Sequence, residues 1–216
     1  MSRPKRILRK RFVIFCEGDT EYNYIDHMRK NQGVELSLKP VNMEGGGYSN
    51  FLKTIKTSAN NNCLAKFIII DADRARDDEN EESNLKALID YCCLQNKKGV
   101  TPHFLILNGP DFEYIACLHD PAYKGQNSET FIKRTYHFQS LDDFKSYDKV
   151  YQLLNSDDRS YQHMLTHIRR GKRIMEHVYT ISKTTFDIRI SKAVYQPQAL
   201  WERCSNIFEF FDVIDW

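Results

Sequence analysis

The chain has 216 residues, 41% of them hydrophobic and 28% charged, so it can bury a core and is not disordered by composition. Its 31 Lys and Arg stand against 29 Asp and Glu, a net charge of +2, which excludes a histone-like polycation and an acidic tail protein. The longest apolar runs, 12–16 and 67–70, fall far short of the ~20 residues a spanning helix needs. The six basic residues among the first eleven are followed by too few apolar ones for a signal peptide. Six cysteines without a CxxC pair read as reduced thiols, so a cytoplasmic protein with no membrane partner is expected.

The N-terminal half alternates strand-like and helix-like segments. Residues 11–16 read as a buried strand that breaks at Glu17-Gly18-Asp19-Thr20, with Thr20 able to cap a helix over 21–30. Residues 35–43 alternate as a strand, Gly45-Gly46-Gly47 turns the chain, and 49–59 reads as a helix. The run 67–70 is apolar without alternation, which implies burial on both faces of a parallel sheet, and it ends in Asp71-Ala72-Asp73. A helix over 84–95, a strand over 103–107 and a helix over 112–119 complete four β/α alternations. The expected architecture is α/β, a doubly wound, mostly parallel sheet of about four strands with helices on both faces.

Past Pro121 the strand signals fade. Helices are expected over 141–154, 161–179 and 201–211, and residues 122–196 carry 13 Lys and Arg against 8 Asp and Glu. The division is a basic arm (1–10), an α/β core (11–120) and a mainly helical extension (121–216).

In an open parallel sheet, reactive groups collect at the carboxyl ends of the strands. Glu17 closes the first strand, and Asp71 and Asp73 close the third. Residues two apart on extended chain point to one side, so both aspartates can face one point. Glu21, four residues after Glu17, lies about one helical turn away. Hard oxygen donors of this kind suit Mg²⁺ or Mn²⁺. The bland alternative is that Asp and Gly merely form turns.

Weaker constellations carry their own alternatives. Asp77, Asp78, Glu79, Glu81 and Glu82 read as a solvated acidic loop rather than a metal site. Glu113 can stand behind the carboxylates, and His119 either joins it or caps a helix C-terminus as a cation. His163 and His167 share a helix face but lack the Glu of a zinc-protease motif. Arg169, Arg170, Lys172 and Arg173 form a basic cluster that can bind a phosphate backbone, against a solvated helix face as the alternative.

The stretch Cys16-Glu17-Gly18-Asp19-Thr20-Glu21, followed by Asp71-Ala72-Asp73, resembles a Toprim domain, and more narrowly the RloB-like proteins. Their C-E-G-x-T-E opening is matched in full. Their N-P-x-F-E-x-W-x-x-x-H element corresponds to Asn108, Pro110, Phe112, Glu113 and His119, with Gly109 as an extra residue and Ile115 in place of Trp. Tyr147 and Lys149 match a downstream Y-x-K. The resemblance runs from about residue 11 to about residue 178.

It implies Glu17 as metal ligand or acid/base, and Asp71 and Asp73 as Mg²⁺ ligands. Likeness to the OLD-family nucleases implies Glu21 at a second metal and Lys149 on the scissile phosphate. The implied function is a Mg²⁺- or Mn²⁺-dependent nuclease with one or two ions, an effector of bacterial anti-phage defence acting with an ABC-type ATPase. Its substrate is DNA or RNA, tRNA among the RNAs. Two metals about 3.5–4 Å apart would neutralise the phosphate, activate water and stabilise the leaving group. The alternative is a non-catalytic metal- or nucleic-acid-binding module that regulates such a complex.

Overall fold

A computed structural model describes residues 11–31, 37–42, 47–58, 63–182, 184–185 and 187–214. The basic arm, Gly45 and Gly46 lie outside the described residues. Strands β1 (Arg11–Cys16), β2 (Ser37–Asn42), β3 (Ala65–Asp71) and β4 (His103–Gly109) pair in parallel in the order β2-β1-β3-β4. A fifth, two-residue strand, β7 (Cys204–Ser205), runs antiparallel along β4.

The unalternating apolar runs are buried on both faces. Phe12, Ile14, Phe67, Ile69, Phe104 and Ile106 point to one side, against α1 (Asp19–Asn31), α5 (Phe112–Cys117) and α10 (Phe208–Ile214). Val13, Phe15, Ile68, Ile70, Leu105 and Leu107 point to the other, against α2 (Tyr48–Thr57) and α4 (Glu79–Lys98). Successive residues of a strand face opposite ways, so two helical layers demand apolar side chains at every position. The α/β expectation holds.

Several boundaries move. Thr20 lies inside α1, which begins at Asp19. Helix α4 starts at Glu79 rather than residue 84, because the Asp78 side chain accepts the Asn80 N–H at 2.7 Å and caps it. Glu79, Glu81 and Glu82 therefore fill the first helical turn, where negative charge suits the exposed N–H groups. Asp73 caps a further short helix, α3 (Arg74–Asp77).

The C-terminal part is not mainly helical. After α6 (Ser128–Tyr136), α7 (Leu141–Lys145), α8 (Val150–Leu154) and α9 (Tyr161–Ile168), a hairpin of β5 (Met175–Ser182) and β6 (Asp187–Tyr195) replaces the second half of the helix expected over 161–179. Gly171 interrupts that segment, and the Val178-Tyr179-Thr180-Ile181 run favours extended chain. A 3-10 helix (Pro197–Trp201) leads into β7.

This segment finishes the sheet. The Asn206 carboxamide accepts the Leu107 N–H at 2.9 Å and donates to the Leu105 carbonyl at 3.0 Å, making two bonds a neighbouring strand would otherwise make. Glu209 accepts from that same amide and from His177 Nδ1, which joins Asn206 and the hairpin in one buried polar contact, with His177 Nε2 left without a partner.

Candidate active site

The carboxyl ends of β1, β3 and β4 meet the first turns of α1 and α5, and carboxylates gather there. Glu17, buried just past β1, is held from two sides. Its Oε2 accepts the Asp71 N–H at 3.0 Å, and its Oε1 lies 3.1 Å from Arg74 Nε. Burial raises its pKa, opposed by the Asp71 amide and the Arg74 guanidinium.

Glu21 is 3% exposed in the first turn of α1. Burial, then repulsion from Glu113 and Glu17, pushes its pKa up to about 8. Gly18 lies against this carboxylate: a Cβ there would stand 3.2 Å from Glu21 Oε2.

Asp71 ends β3. Burial and the neighbouring Glu21, Glu113, Glu17 and Asp111 hold its carboxyl well above the usual range. Its Oδ1 accepts from Asn108 Nδ2 at 3.3 Å, and Asn108 Oδ1 in turn accepts the Ser205 hydroxyl at 2.9 Å. The Tyr48 hydroxyl donates to the Asp71 carbonyl at 2.8 Å.

Asp73 departs from the geometry expected of it. Its backbone is helical (φ −58°, ψ −46°), so residues 71–73 are not extended and the same-side argument does not apply. The side chain is exposed and caps Arg74 N–H at 2.7 Å. Its charge still bears on Glu17 and Asp111.

Glu113, buried in the first turn of α5, has its pKa raised to about 7 by burial, with Lys145 working the other way. Lys145 Nζ lies 3.7 Å from Glu113 Oε1. Partial burial works to lower the pKa of Lys145, but Glu113, Asp71, Asp111 and Glu21 outweigh it and the net shift is upward.

Two of these residues escaped the sequence reading. Asp111 caps α5 by accepting the Tyr114 N–H at 2.8 Å, and its pKa is raised by burial and by Asp73. It follows β4, so the strand-end rule that picked Glu17 and Asp71 applies to it too. Lys145 has no such signal, because it reaches the cluster from a helix outside the sheet. Lys149 is exposed at the N-cap of α8, its carbonyl accepting the Leu153 N–H.

His119 is not a cationic cap. It is fully buried, Tyr24 donates to its Nε2, and burial lowers its pKa to about 4. The basic cluster is largely neutralised: Arg169 pairs with Asp212, Lys172 with Glu202 and Arg173 with Glu176. Arg169 and Arg173 also flank the Phe208 ring.

No family model, curated protein or solved structure matches this chain.

Whether the site fits a metal rests on its donors. Among the described residues no three His, Cys, Asp or Glu side chains converge closely enough to hold an ion. Glu17, Asp71 and Asp73 are instead turned to internal partners. The charge inventory points the other way. Glu17, Glu21, Asp71, Asp73, Asp111 and Glu113 act on one another, and Lys145 and Arg74 are the cations that touch Glu113 and Glu17. A set of this kind, with Glu17, Glu21 and Glu113 buried, favours taking up protons or cations. All the donors are hard oxygens, the donor type that Mg²⁺ and Mn²⁺ prefer.

Among the described residues no helix is long and apolar enough to cross a membrane.

Proposed function

We propose that the chain is a metal-dependent nuclease of Toprim type, cleaving nucleic acid phosphodiesters as an anti-phage effector beside an ABC-type ATPase. The observation that carries the chemistry is the set of carboxylates at three adjacent strand ends, Glu17, Glu21 and Glu113 among them buried, with their carboxyls raised by burial. The parallel order β2-β1-β3-β4 is compatible with a Toprim sheet. The defence role and the ATPase rest on the resemblance to RloB-like proteins alone.

Glu17, Glu21, Asp71 and Asp73 would hold Mg²⁺ or Mn²⁺, with Asp111 and Glu113 beside them. When bound, the metal polarises the phosphate and eases deprotonation of water. Glu113, with its pKa about 7, can hold or release a proton near neutral pH. Lys145 is the flexible cation placed to meet a phosphate oxygen, the role first read into Lys149. Asn108 and Arg74 orient Asp71 and Glu17.

The regulatory reading draws on the engagement of Glu17 by Arg74 and the Asp71 amide, which keeps that carboxylate inward without any ligand. One experiment separates the two. Wild type and Asp71→Ala/Asp73→Ala are induced in cells, growth is followed, and the length profiles of total DNA and RNA are compared, with Mn²⁺-dependent cleavage repeated on purified protein. Fragmentation and growth arrest that vanish together in the variant support the nuclease. Arrest without fragmentation, unchanged by the substitutions, supports the regulatory module.

A further inference from the structure

Trp201 is 69% exposed, although tryptophan is among the side chains a fold most gains by covering. Its neighbours show that the element itself is well anchored. Ala199 and Leu200, on the same 3-10 helix, are 2% and 3% exposed and belong to the core. The Arg76 guanidinium donates to the carbonyls of both Leu200 and Glu202, the residues on either side of Trp201. The ring therefore projects from a backbone clamped at both flanks.

The clamp also fixes where the ring stands. Arg76 lies on α3, three residues after Asp73, and its charge bears on Asp111. Cys204 pairs with Gly109 in antiparallel register, so the residues just before it lie beyond the carboxyl end of β4. That is the end bearing Asn108, Asp111 and the other carboxylates. Lys172 comes to the same rim through Glu202, at 2.6 Å.

We infer that Trp201 is a stacking platform for a nucleobase of the strand whose phosphate enters the carboxylate site. This rests on the nuclease reading and adds a positioning residue to it. A held, solvent-facing indole at the end of the sheet that carries the carboxylates suits the way proteins grip single strands without reading their sequence. Bases stack on the ring, and the backbone continues toward Lys145 and the acids. The ring contributes to affinity and to placement of the scissile bond, not to the chemistry.

The test uses the full chain in EDTA, so that binding is read without cleavage. Fluorescein-labelled single-stranded 12-mers, one deoxyribose, one ribose and one abasic, are titrated by anisotropy against wild type, Trp201→Ala and Trp201→Phe. Trp201→Ala is expected to weaken the base-bearing strands by ~5- to 150-fold, leave the abasic strand unchanged and leave the melting temperature unchanged; Trp201→Phe retains most of the affinity. Trp201 emission, isolated in a Trp216→Phe background, is expected to be quenched by base-bearing strands only, which reads the contact without removing the ring. Equal binding of all strands by wild type and Trp201→Ala, with Asp71-dependent cleavage intact, overturns the stacking role and points to a protein-docking ring while the nuclease stands. Failure of wild type to bind or cleave any strand overturns both.

Discussion

The Tyr24 hydroxyl donates to Nε2 of His119 at 2.8 Å, while Nδ1 of His119 donates to the Ile115 carbonyl at 3.0 Å. Both bonds are satisfied by one neutral tautomer, consistent with a pKa lowered to about 4 by burial. Tyr24 lies three residues after Glu21 on α1, and His119 lies two residues past the end of α5, the helix that carries Glu113. The bond thus ties together the two helices that bring these carboxylates to the sheet. Tyr24→Phe leaves Nε2 buried without a donor and is expected to cost about 1–3 kcal/mol in urea unfolding. Unchanged stability would show that the bond does not lock the helices.

The two lysines are separable. Lys145→Met is expected to reduce cleavage at least ~10-fold and to raise the pKa of Glu113, because the cation paired with that carboxyl is lost. The pH–rate profile would move to higher pH accordingly. Lys149→Met is expected to stay within about twofold of wild type, since Lys149 is exposed at the N-cap of α8 and is not among the leading influences on the raised carboxylates. A reversed ranking would restore Lys149 to the site.

The raised carboxylates make the metal-free protein sensitive to pH. Glu21 moves from 4.5 to about 8 on folding, so the folded state favours its protonated form. That contribution is fully present below the ordinary glutamate value and is lost as pH rises toward 8. In EDTA the melting temperature is expected to fall between pH 5 and pH 8. Millimolar Mg²⁺ or Mn²⁺ should restore it most at pH 8, by linkage to the folded state. Glu21→Gln should flatten the profile and raise the melting temperature at pH 8 by roughly 2–8 °C. A flat wild-type profile in differential scanning fluorimetry would contradict the electrostatic reading.

Gly109 is where β7 meets β4 most tightly. A Cβ there would stand 2.9 Å from the Glu202 carbonyl and 3.0 Å from Ile174 Cδ1. Gly109→Ala must push the last strand away, at a cost of about 1–3 kcal/mol. It should also loosen Ser205 from Asn108, and with it the grip on Asp71. Denaturation and cleavage, compared with Gly171→Ala as a surface control, where a Cβ would meet nothing closer than 3.5 Å, would check both effects.

The sheet was legible because burial on two faces leaves a mark that local sequence cannot hide: 67–70 and 103–107 are apolar at every position. The carboxylates at β1 and β3 were legible for a related reason, since charge directly after such runs has to lie at a strand end. Asp73 was found for the wrong geometry, because a helical turn replaces the extended chain assumed there. Lys145 and the β5–β6 hairpin were not legible. Lys145 meets acids far from it in sequence, which local propensity cannot report; the hairpin is local, but its half-polar strands lack the continuous apolar run that marked the buried sheet.

The Asn206 plug on β4 sets an order of events. Its bonds to Leu105 and Leu107, and that of Ser205 to Asn108, span 97 to 101 residues. Until residues 204–209 arrive, β4 is an open edge and Asn108 has no partner to steady it against Asp71. A chain lacking these residues would therefore carry its acids on an unfinished sheet, so that any chemistry the proposed site performs matures only with contacts made between distant segments.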